Sequence, residues 1–275
     1  MKLFINGIHL HVFEQGNGPL TLVFLHYFGG SALEWQSIMN RLSDRHRCVA
    51  VDLRGHGDSE APTAGKSTPG GYFVDDMADD VLGLVDELAI QDFVLIGHSM
   101  SGKVALAVAA GTPNHPQPTG LRLLLLVSPS PPLPEPIPDG ERQKLVNGYG
   151  QREAAETLLK NSTAVAVSEA VREQIIADNL RTAKSAWMAW LTSGSREDIS
   201  ARMSAVNVPI HIIVGSEDRA LPPDVQNRLV LPFLKNVTLT IIETVGHLLP
   251  WEIPDELGDF ILNQTLALEP DQDKF

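Results

Sequence analysis

Six short, almost wholly apolar runs recur along this chain of 275 residues, and helical patterns separate them. The runs are TLVFLH (21–26), CVAVDL (48–53), FVLIGH (93–98), LRLLLLVS (121–128), PIHIIVGSED (209–218) and VTLTIIET (237–244). Strands that are apolar throughout are buried on both faces, which is typical of parallel sheets covered by helices. We therefore predict an α/β fold with a mostly parallel central sheet and helices on both faces.

Apolar residues at helical spacing place the covering helices between these strands. The spacing predicts helices over residues 31–43 and 73–88, and a third helix directly after residue 98. Before the first apolar run, KLFI and IHLHVFEQ flank Asn6-Gly7, a two-residue turn that favours an antiparallel hairpin.

The alternation of strands and helices is interrupted between the fourth and fifth apolar runs. The stretch PSPPLPEPIP (129–138) contains six prolines, too many for a helix or a central strand. Helical patterns then follow at about 141–160, 166–180 and 182–192. We predict a helical cap, residues 129–203, inserted into a core domain made of residues 1–128 and 204–275.

Charge and composition limit the partners of the chain. With a formal net charge of −13, it should repel nucleic acids and anionic membranes, so neither is an expected partner. The N-terminus lacks the apolar stretch of a signal peptide, and the longest aliphatic run, Leu123–Val127, is too short to span a bilayer. The single cysteine, Cys48, excludes an internal disulfide. We expect a cytoplasmic protein that is a monomer or a weak homo-oligomer.

The segment GHSMSGK (97–103) joins an apolar run to a helical pattern. It nearly matches G-x-S-x-G, with Ser101 in place of the second glycine. A serine on a sharp strand-to-helix turn is exposed for nucleophilic attack, and small neighbours let the strand and the helix cross closely. The same residues would also suit simple packing at the start of a helix. Ser99 is a catalytic candidate if a base and an orienting acid are available.

Two residues after late apolar runs could supply the base and the acid. Asp218 ends the fifth run and His247 follows the sixth, so the chain order is serine, acid, histidine. Glu217 and Asp224 are alternatives to Asp218 as the orienting acid. The other histidines lie in strands, turns or connections that suit the role less well.

Over nearly its full length the chain resembles the α/β-hydrolase superfamily, and in particular its serine esterases. The resemblance rests on LVFLHYFGGSALEW, VDLRGHGDS, GHSMSG, GSEDRALP and GHLLPWEIP, which are similar to the family's motifs. It implies that Ser99 is the nucleophile, His247 the base and Asp218 the acid that orients His247. It also implies that the backbone N–H groups of Phe28 and Met100 stabilise the oxyanion.

Two positions depart from the family's pattern. Tyr27 stands where the family commonly has glycine, which constrains the backbone that presents the Phe28 N–H. The Tyr27 hydroxyl is a candidate oxyanion donor, and a packed aromatic ring is the simpler interpretation. Ser101 is also found in hormone-receptor hydrolases of the strigolactone and karrikin type. A signalling receptor that hydrolyses its ligand slowly is therefore an alternative function.

The substrate pocket is expected between the cap and the catalytic residues. Its predicted lining consists of an apolar stripe in the cap and the apolar neighbours of the catalytic positions: Tyr27, Trp187, Met188, Trp190, Leu191, Leu221 and Leu248. We predict a carboxylesterase that cleaves esters of small to medium apolar acyl chains through an acyl-enzyme. Lactonase, C–C hydrolase and perhydrolase activity on the same residues are the alternatives.

We predict no cofactor and no metal ion. His9 and His11 share one strand face, but the sequence suggests no third ligand for a metal. AGKST (64–68) has Glu60 where a phosphate-binding loop requires glycine, and no strand leads into it.

Overall fold

The computed structural model describes residues 1–62, 71–266 and 268, and the strands of this part form one eight-stranded sheet. The strands are β1 (Lys2–Ile5), β2 (Ile8–Gln15), β3 (Thr21–Leu25), β4 (Arg47–Val51), β5 (Phe93–His98), β6 (Leu121–Val127), β7 (Ile210–Gly215) and β8 (Val237–Ile242). Each of the six apolar runs forms a strand, and the predicted hairpin is formed by β1 and β2. The segment 64–68 lies outside the described residues.

The order of the strands sets where their ends meet. Across the sheet the order is β1-β2-β4-β3-β5-β6-β7-β8, with antiparallel pairing of β1 to β2 and of β2 to β4 and parallel pairing elsewhere. The predicted mostly parallel sheet is therefore confirmed. Because parallel strands end at the same edge, the segments that follow β3, β5, β7 and β8 lie together at that edge.

Helices follow most strands. They are α1 (Gln36–Leu42), α2 (Val74–Glu87), α3 (Met100–Ala110), α4 (Asp139–Asn147), α5 (Arg152–Ser162), α6 (Glu169–Arg181), α7 (Lys184–Thr192), α8 (Pro223–Leu229), α9 (Leu249–Glu252) and α10 (Pro254–Leu266). None of the helices in the described part of the chain is both long and apolar enough to cross a membrane.

The helices differ from the prediction in several places. The single helix predicted over 141–160 is two helices, α4 and α5, because Gly150 adopts a left-handed conformation (φ +73°) between them. The helix predicted over 31–43 begins as a 3₁₀ turn, Ala32–Trp35, before α1. Helix α10 was not predicted, although Pro254 at its first position, followed by acidic residues, is a helix-start signal.

Apolar side chains cover both faces of the sheet. Alternate residues of β3 show this: Val23 and Leu25 pack with α2 and α3, whereas Leu22 and Phe24 pack with α1 and α10. All four side chains are inaccessible to solvent. Burial of each such side chain stabilises the fold by about 1.5–3 kcal/mol. The predicted helices on both faces are therefore confirmed.

Helices α4 to α7 lie between β6 and β7, within residues 129–203, which we call the insertion. A buried lysine ties both ends of the insertion to α3. The Lys103 ammonium group donates hydrogen bonds to the carbonyl oxygens of Leu133 (3.0 Å) and Glu197 (2.8 Å). Burial lowers the pKa of Lys103 to about 8, against the opposing effect of nearby carboxylates. The division of the chain into a core and a cap stays a prediction.

Candidate active site

Ser99 lies on the sharp turn between β5, which ends at His98, and α3, which begins at Met100. Its backbone has φ +54° and ψ −116°, a conformation that L-residues rarely adopt. A Cβ at Gly97 would lie 2.4 Å from the carbonyl oxygen of Ser101, so the first helical turn passes too close for any side chain there. The turn therefore requires glycine at position 97 and presents the Ser99 side chain at the sheet edge.

Three predicted catalytic residues are joined by hydrogen bonds in one row. The Nε2 atom of His247 lies 2.9 Å from the Ser99 hydroxyl, and its Nδ1 atom lies 2.7 Å from Asp218 Oδ2. The other carboxylate oxygen of Asp218 accepts the backbone N–H groups of Ala220 and Leu221, both at 2.9 Å. The alternatives Glu217 and Asp224 make no contact with His247 in the described part of the chain.

The charges in this row reinforce one another. Burial alone would raise the pKa of Asp218, but the charge and the hydrogen bond of His247 outweigh it and hold that pKa below its usual value. Burial alone would lower the pKa of His247, but Asp218 raises it above its ordinary value of 6.5. With Asp218 accepting the Nδ1 proton, neutral His247 has a free Nε2 lone pair directed at the Ser99 hydroxyl.

Two backbone N–H groups lie where the resemblance implies an oxyanion site. Met100 is the first residue of α3, so no earlier helical carbonyl can accept its N–H. The N–H groups of Phe28 and Met100 have no acceptor among the described residues. Phe28 lines the same cavity as Ser99, and Met100 directly follows Ser99, so both N–H groups are available to a negative charge that develops there.

The departure at position 101 has a structural role. The Ser101 hydroxyl donates a hydrogen bond to the carbonyl oxygen of His26, which links the turn at Ser99 to the loop that carries Phe28. His26 itself is buried, with Nδ1 2.7 Å from the Tyr27 carbonyl and Nε2 accepting the Leu53 N–H. Burial lowers the pKa of His26 to about 4, in keeping with a neutral ring that bridges two loops.

A cavity of about 280 Å³ opens at Ser99 and His247. It is lined by five of the predicted pocket residues: Tyr27, Trp190, Leu191, Leu221 and Leu248. The predicted pocket residue Trp187 instead lines an adjoining cavity of about 580 Å³. Met188, also predicted for the pocket, is half-buried in α7 and lines neither of these two cavities in the described structure; its role stays a prediction.

Comparison with known proteins places this arrangement in a family. The model of the alpha/beta hydrolase family matches residues 22–260. The chain belongs to the alpha/beta hydrolase family. The resemblance inferred from the motifs is thereby confirmed, and the α/β-hydrolase fold with it.

Relatives of this alpha/beta hydrolase have several activities. The 2-(acetamidomethylene)succinate hydrolase of Mesorhizobium japonicum is 30% identical over 228 residues, which cover 79% of this chain and 78% of that protein. An esterase from Exiguobacterium antarcticum has a TM-score of 0.85 at 20% identity, over 96% of this chain and 98% of its own. An enol-lactonase from Burkholderia xenovorans LB400 has a TM-score of 0.80 at 22% identity, over 98% and 100%. The family and its relatives support hydrolase activity for this chain.

A second buried pair, Glu34 and His98, lies behind His247. His98 Nε2 lies 2.8 Å from the carbonyl oxygen of His247, and because a carbonyl only accepts, this nitrogen carries the proton. The Nδ1 atom faces a carboxyl oxygen of Glu34 at 3.2 Å. Burial lowers the pKa of His98 to about 3 and raises that of Glu34 well above its usual range. A protonated Glu34 therefore donates to His98, which supports the backbone of His247.

One carboxylate fixes the loop that carries His247. Glu252 is buried, and one of its oxygens accepts N–H groups from Gly246 (3.0 Å), Ala164 (2.8 Å) and Val165 (2.8 Å). Its other oxygen accepts the N–H of Leu248 at 3.0 Å. The peptide groups on both sides of His247 are therefore tied to the segment that follows α5 in the insertion.

The backbone of His247 also contacts the insertion directly. Its N–H donates to the carbonyl oxygen of Ser162, the last residue of α5, at 2.7 Å. A Cβ at Gly246 would lie 2.7 Å from the Ala164 nitrogen, so only glycine allows the two segments to approach this closely. The position of His247 thus depends on the insertion as well as on the sheet.

Replacement of Glu252 by glutamine should displace His247 and slow hydrolysis. An amide keeps the shape of the side chain but presents an NH₂ group to N–H donors that need an acceptor. We expect kcat to fall about 100-fold, because a shift of about 1 Å in a catalytic group has an effect of that order. Glu256→Gln, which removes the same charge from an exposed position of α10, is the matched control. Equal kcat values for the two variants would contradict the positioning role.

The sequence analysis missed several residues of the site. Glu34 and Glu252 belong to no charge pattern in the sequence. Only the structure shows that both are buried near the backbone of His247. Glu135, Leu145 and Arg219 line the cavity at Ser99. Of these, only Arg219 could have been found from the sequence, because it directly follows the predicted acid Asp218.

A cluster of possible metal ligands lies elsewhere in the hydrolase. His11, Asp52 and Asp58 have ligand atoms within 4.8 Å of one another. The Asp52 carboxylate already accepts the N–H groups of Ala32 (2.7 Å) and Asp58 (2.9 Å) and lies 3.0 Å from the His11 ring. Through these bonds Asp52 stabilises the turn after β4, which explains why the three side chains lie together.

Proposed function

We propose that this alpha/beta hydrolase is a serine carboxylesterase that acts through an acyl-enzyme. One observation carries the proposal. Ser99 Oγ lies 2.9 Å from His247, which is held by Asp218, and the serine opens into a cavity. A serine is a poor nucleophile unless a base accepts its proton, and this row supplies both the base and its orientation.

In the proposed reaction, Ser99 Oγ attacks the ester carbonyl carbon while His247 Nε2 accepts the serine proton. The N–H groups of Phe28 and Met100 stabilise the oxyanion of the tetrahedral intermediate; each such donor contributes about 10²–10³-fold in kcat. Collapse of the intermediate breaks the carbonyl–alkoxy bond, and His247 protonates the departing alcohol. A water molecule, deprotonated by His247, then attacks the acyl-enzyme, and the carboxylic acid and Ser99 are released.

The size and chemistry of the cavity favour short acyl chains. Its volume of about 280 Å³ is at the lower end of ligand pockets, and leucine and tryptophan side chains cover much of the wall. Initial rates on p-nitrophenyl acetate, butyrate and octanoate would test this. We expect the acetate and butyrate esters to react faster than the octanoate. No turnover of any of the three would contradict the esterase proposal.

The alternatives differ in what they turn over. Lactonase activity is an alternative because an enol-lactonase has a similar fold. A panel of lactones assayed beside the esters would identify a lactonase, because its kcat/KM would be highest on a cyclic ester. A signalling receptor would turn over one ligand slowly and change its melting temperature when that ligand binds. Fast turnover of several simple esters would exclude the receptor.

The rate of ester hydrolysis should rise with pH as His247 loses its proton. The base must be neutral to accept the serine proton, and Asp218 raises the pKa of His247 above its ordinary value of 6.5. We therefore expect kcat/KM to fall as the pH drops through a midpoint above 6.5. A pH profile of kcat/KM on p-nitrophenyl butyrate measures the midpoint, and a value below 6.5 would contradict the effect of Asp218.

A further inference from the structure

The cavity at Ser99 adjoins a larger one under the insertion. We call the cavity of about 280 Å³ the inner chamber and the cavity of about 580 Å³ the outer chamber. The residues that line both chambers are Glu141, Leu145, Leu158, Ser162, Arg219 and Ala220. Phe28 of the inner chamber stacks on Trp187 of the outer chamber, with 4.5 Å between ring centroids. The two chambers therefore border each other, and Arg219 lies at their common wall.

Among the polar side chains that line the outer chamber without a partner are Ser162, Asn179 and Arg219, which come from different elements. Ser162 ends α5, Asn179 lies in α6 and Arg219 follows Asp218. Within residues 1–62, 71–266 and 268, none of these side chains has a hydrogen bond or an ion pair. Asn179 is only 8% exposed as a residue, and its amide, which bonds to no described protein group, is available to a ligand or water in the chamber.

The isolation of Arg219 is unusual in this chain. In the described residues every other arginine except Arg45 contacts a carboxylate or a carbonyl oxygen. Arg45 and Arg219 both lie at exposed positions, but Arg45 lines neither chamber. Arg219 is therefore the unpaired guanidinium group of the substrate site.

The carboxyl groups of the chambers do not neutralise Arg219. Glu141 is bonded to Lys144 at 2.8 Å, and Glu153 lies at an exposed position without an ion pair to Arg219. Burial raises the pKa of Glu135, which favours its neutral form. No carboxylate of the described lining contacts the Arg219 guanidinium group, so this group is available to an anion.

We infer that Arg219, with Asn179 and Ser162, binds a carboxylate of the substrate, so that the substrate is an ester that also carries a carboxylate group. A guanidinium group offers paired N–H donors that match a carboxylate, and the amide and hydroxyl groups add neutral donors. The ester carbonyl lies at Ser99, the apolar inner chamber holds the methylene chain, and the carboxylate lies in the outer chamber. This inference rests on the proposed function.

Binding to the Ser99→Ala protein tests the inference without any need for hydrolysis. Monoethyl adipate and ethyl hexanoate share a six-carbon acyl chain, and only the first has a free carboxylate. By isothermal titration calorimetry at low ionic strength we expect the adipate hemiester to bind at least about tenfold more tightly. The preference should shrink as salt is added, because the ion pair is screened.

Variants identify the group that recognises the carboxylate. In the Ser99→Ala background, Arg219→Gln should abolish the preference for the hemiester, and Arg219→Lys should retain part of it. Arg45→Gln makes the same change of charge outside both chambers and should leave the preference unchanged. Asn179→Ala should weaken the preference with little loss of thermal stability, because its amide has no protein partner. In the otherwise unmodified enzyme, Arg219→Gln should likewise lower the ratio of kcat/KM on mono-p-nitrophenyl adipate to that on p-nitrophenyl hexanoate.

Equal affinity for the hemiester and the neutral ester would overturn the inference. A preference that survives Arg219→Gln would overturn the assignment of Arg219. If the hemiester binds preferentially and this preference needs Arg219, the carboxylate site is supported even when neither p-nitrophenyl ester is hydrolysed. Absence of hydrolysis would instead contradict the proposed esterase function, so the two failures are distinguishable.

Discussion

Replacement of Ser99 by alanine should reduce kcat for p-nitrophenyl butyrate by about 10⁴–10⁶-fold, the range seen when a catalytic serine is removed. The substitution deletes the hydroxyl that lies 2.9 Å from His247 Nε2 and leaves the oxyanion donors in place. Alanine keeps the Cβ, so the turn at φ +54° gains no further strain and the fold should be retained. Initial rates, with circular dichroism to verify the fold, measure the effect.

Ser101→Gly is the matched control, because it removes a hydroxyl from the same turn and restores the residue common in the family. It should break the hydrogen bond to the His26 carbonyl and leave the row of Ser99, His247 and Asp218 intact. We expect a change in kcat of less than about tenfold, comparable to the loss of one hydrogen bond. Wild-type rates in the Ser99→Ala protein would refute Ser99 as the nucleophile.

The sheet and the row of Ser99, His247 and Asp218 could be predicted because their signals are local. A strand buried on both faces requires an uninterrupted apolar run, so β3 to β7 were visible in the sequence. Strand β8 was visible from its apolar residues too, although at the edge of the sheet it is only half-buried. The turn at Ser99 requires small neighbours. A Cβ at position 97 would lie 2.4 Å from the carbonyl oxygen of Ser101, so only glycine fits there. Once the strands are ordered, the residues after β7 and β8 are brought to Ser99 by the topology alone.

The supporting residues could not be predicted because their roles arise from distant contacts. Glu252 accepts N–H groups from Ala164 and Val165, which are 88 and 87 positions away along the chain. Glu34 contacts His98 from the loop after β3, at a separation of 64 residues. No periodic pattern encodes such pairs, since each depends on how the insertion and the loops fold onto the sheet edge.

The insertion was the least predictable part for a related reason. Its helices were expected from apolar spacing, yet the break at Gly150 depends on one left-handed residue and turned one predicted helix into two. The orientation of α7 then decided which predicted residues line a cavity. Trp190 and Leu191 line the inner chamber and Trp187 the outer one, whereas Met188 lines neither.

The second large effect is expected from Asp218→Asn, which should lower kcat by about 10⁴-fold, as the loss of the orienting carboxylate does in serine hydrolases. Asp224→Asn is the matched control; Asp224 is exposed and pairs with Arg228 at 2.9 Å. It should leave kcat within about twofold, because surface ion pairs contribute little. Equal losses in both variants, or a loss in Asp224→Asn alone, would assign the orienting role elsewhere.

The cause of this loss lies in the second oxygen of Asp218. That oxygen accepts the N–H groups of Ala220 and Leu221, so an asparagine would turn its carbonyl oxygen toward them and its NH₂ group toward His247. Nδ1 would then have to accept a hydrogen bond, and the single proton of the neutral ring would move to Nε2. An Nε2 that carries a proton cannot accept the one from Ser99. The predicted defect is therefore one of tautomer rather than of distance, and the variant should bind substrate while failing to acylate.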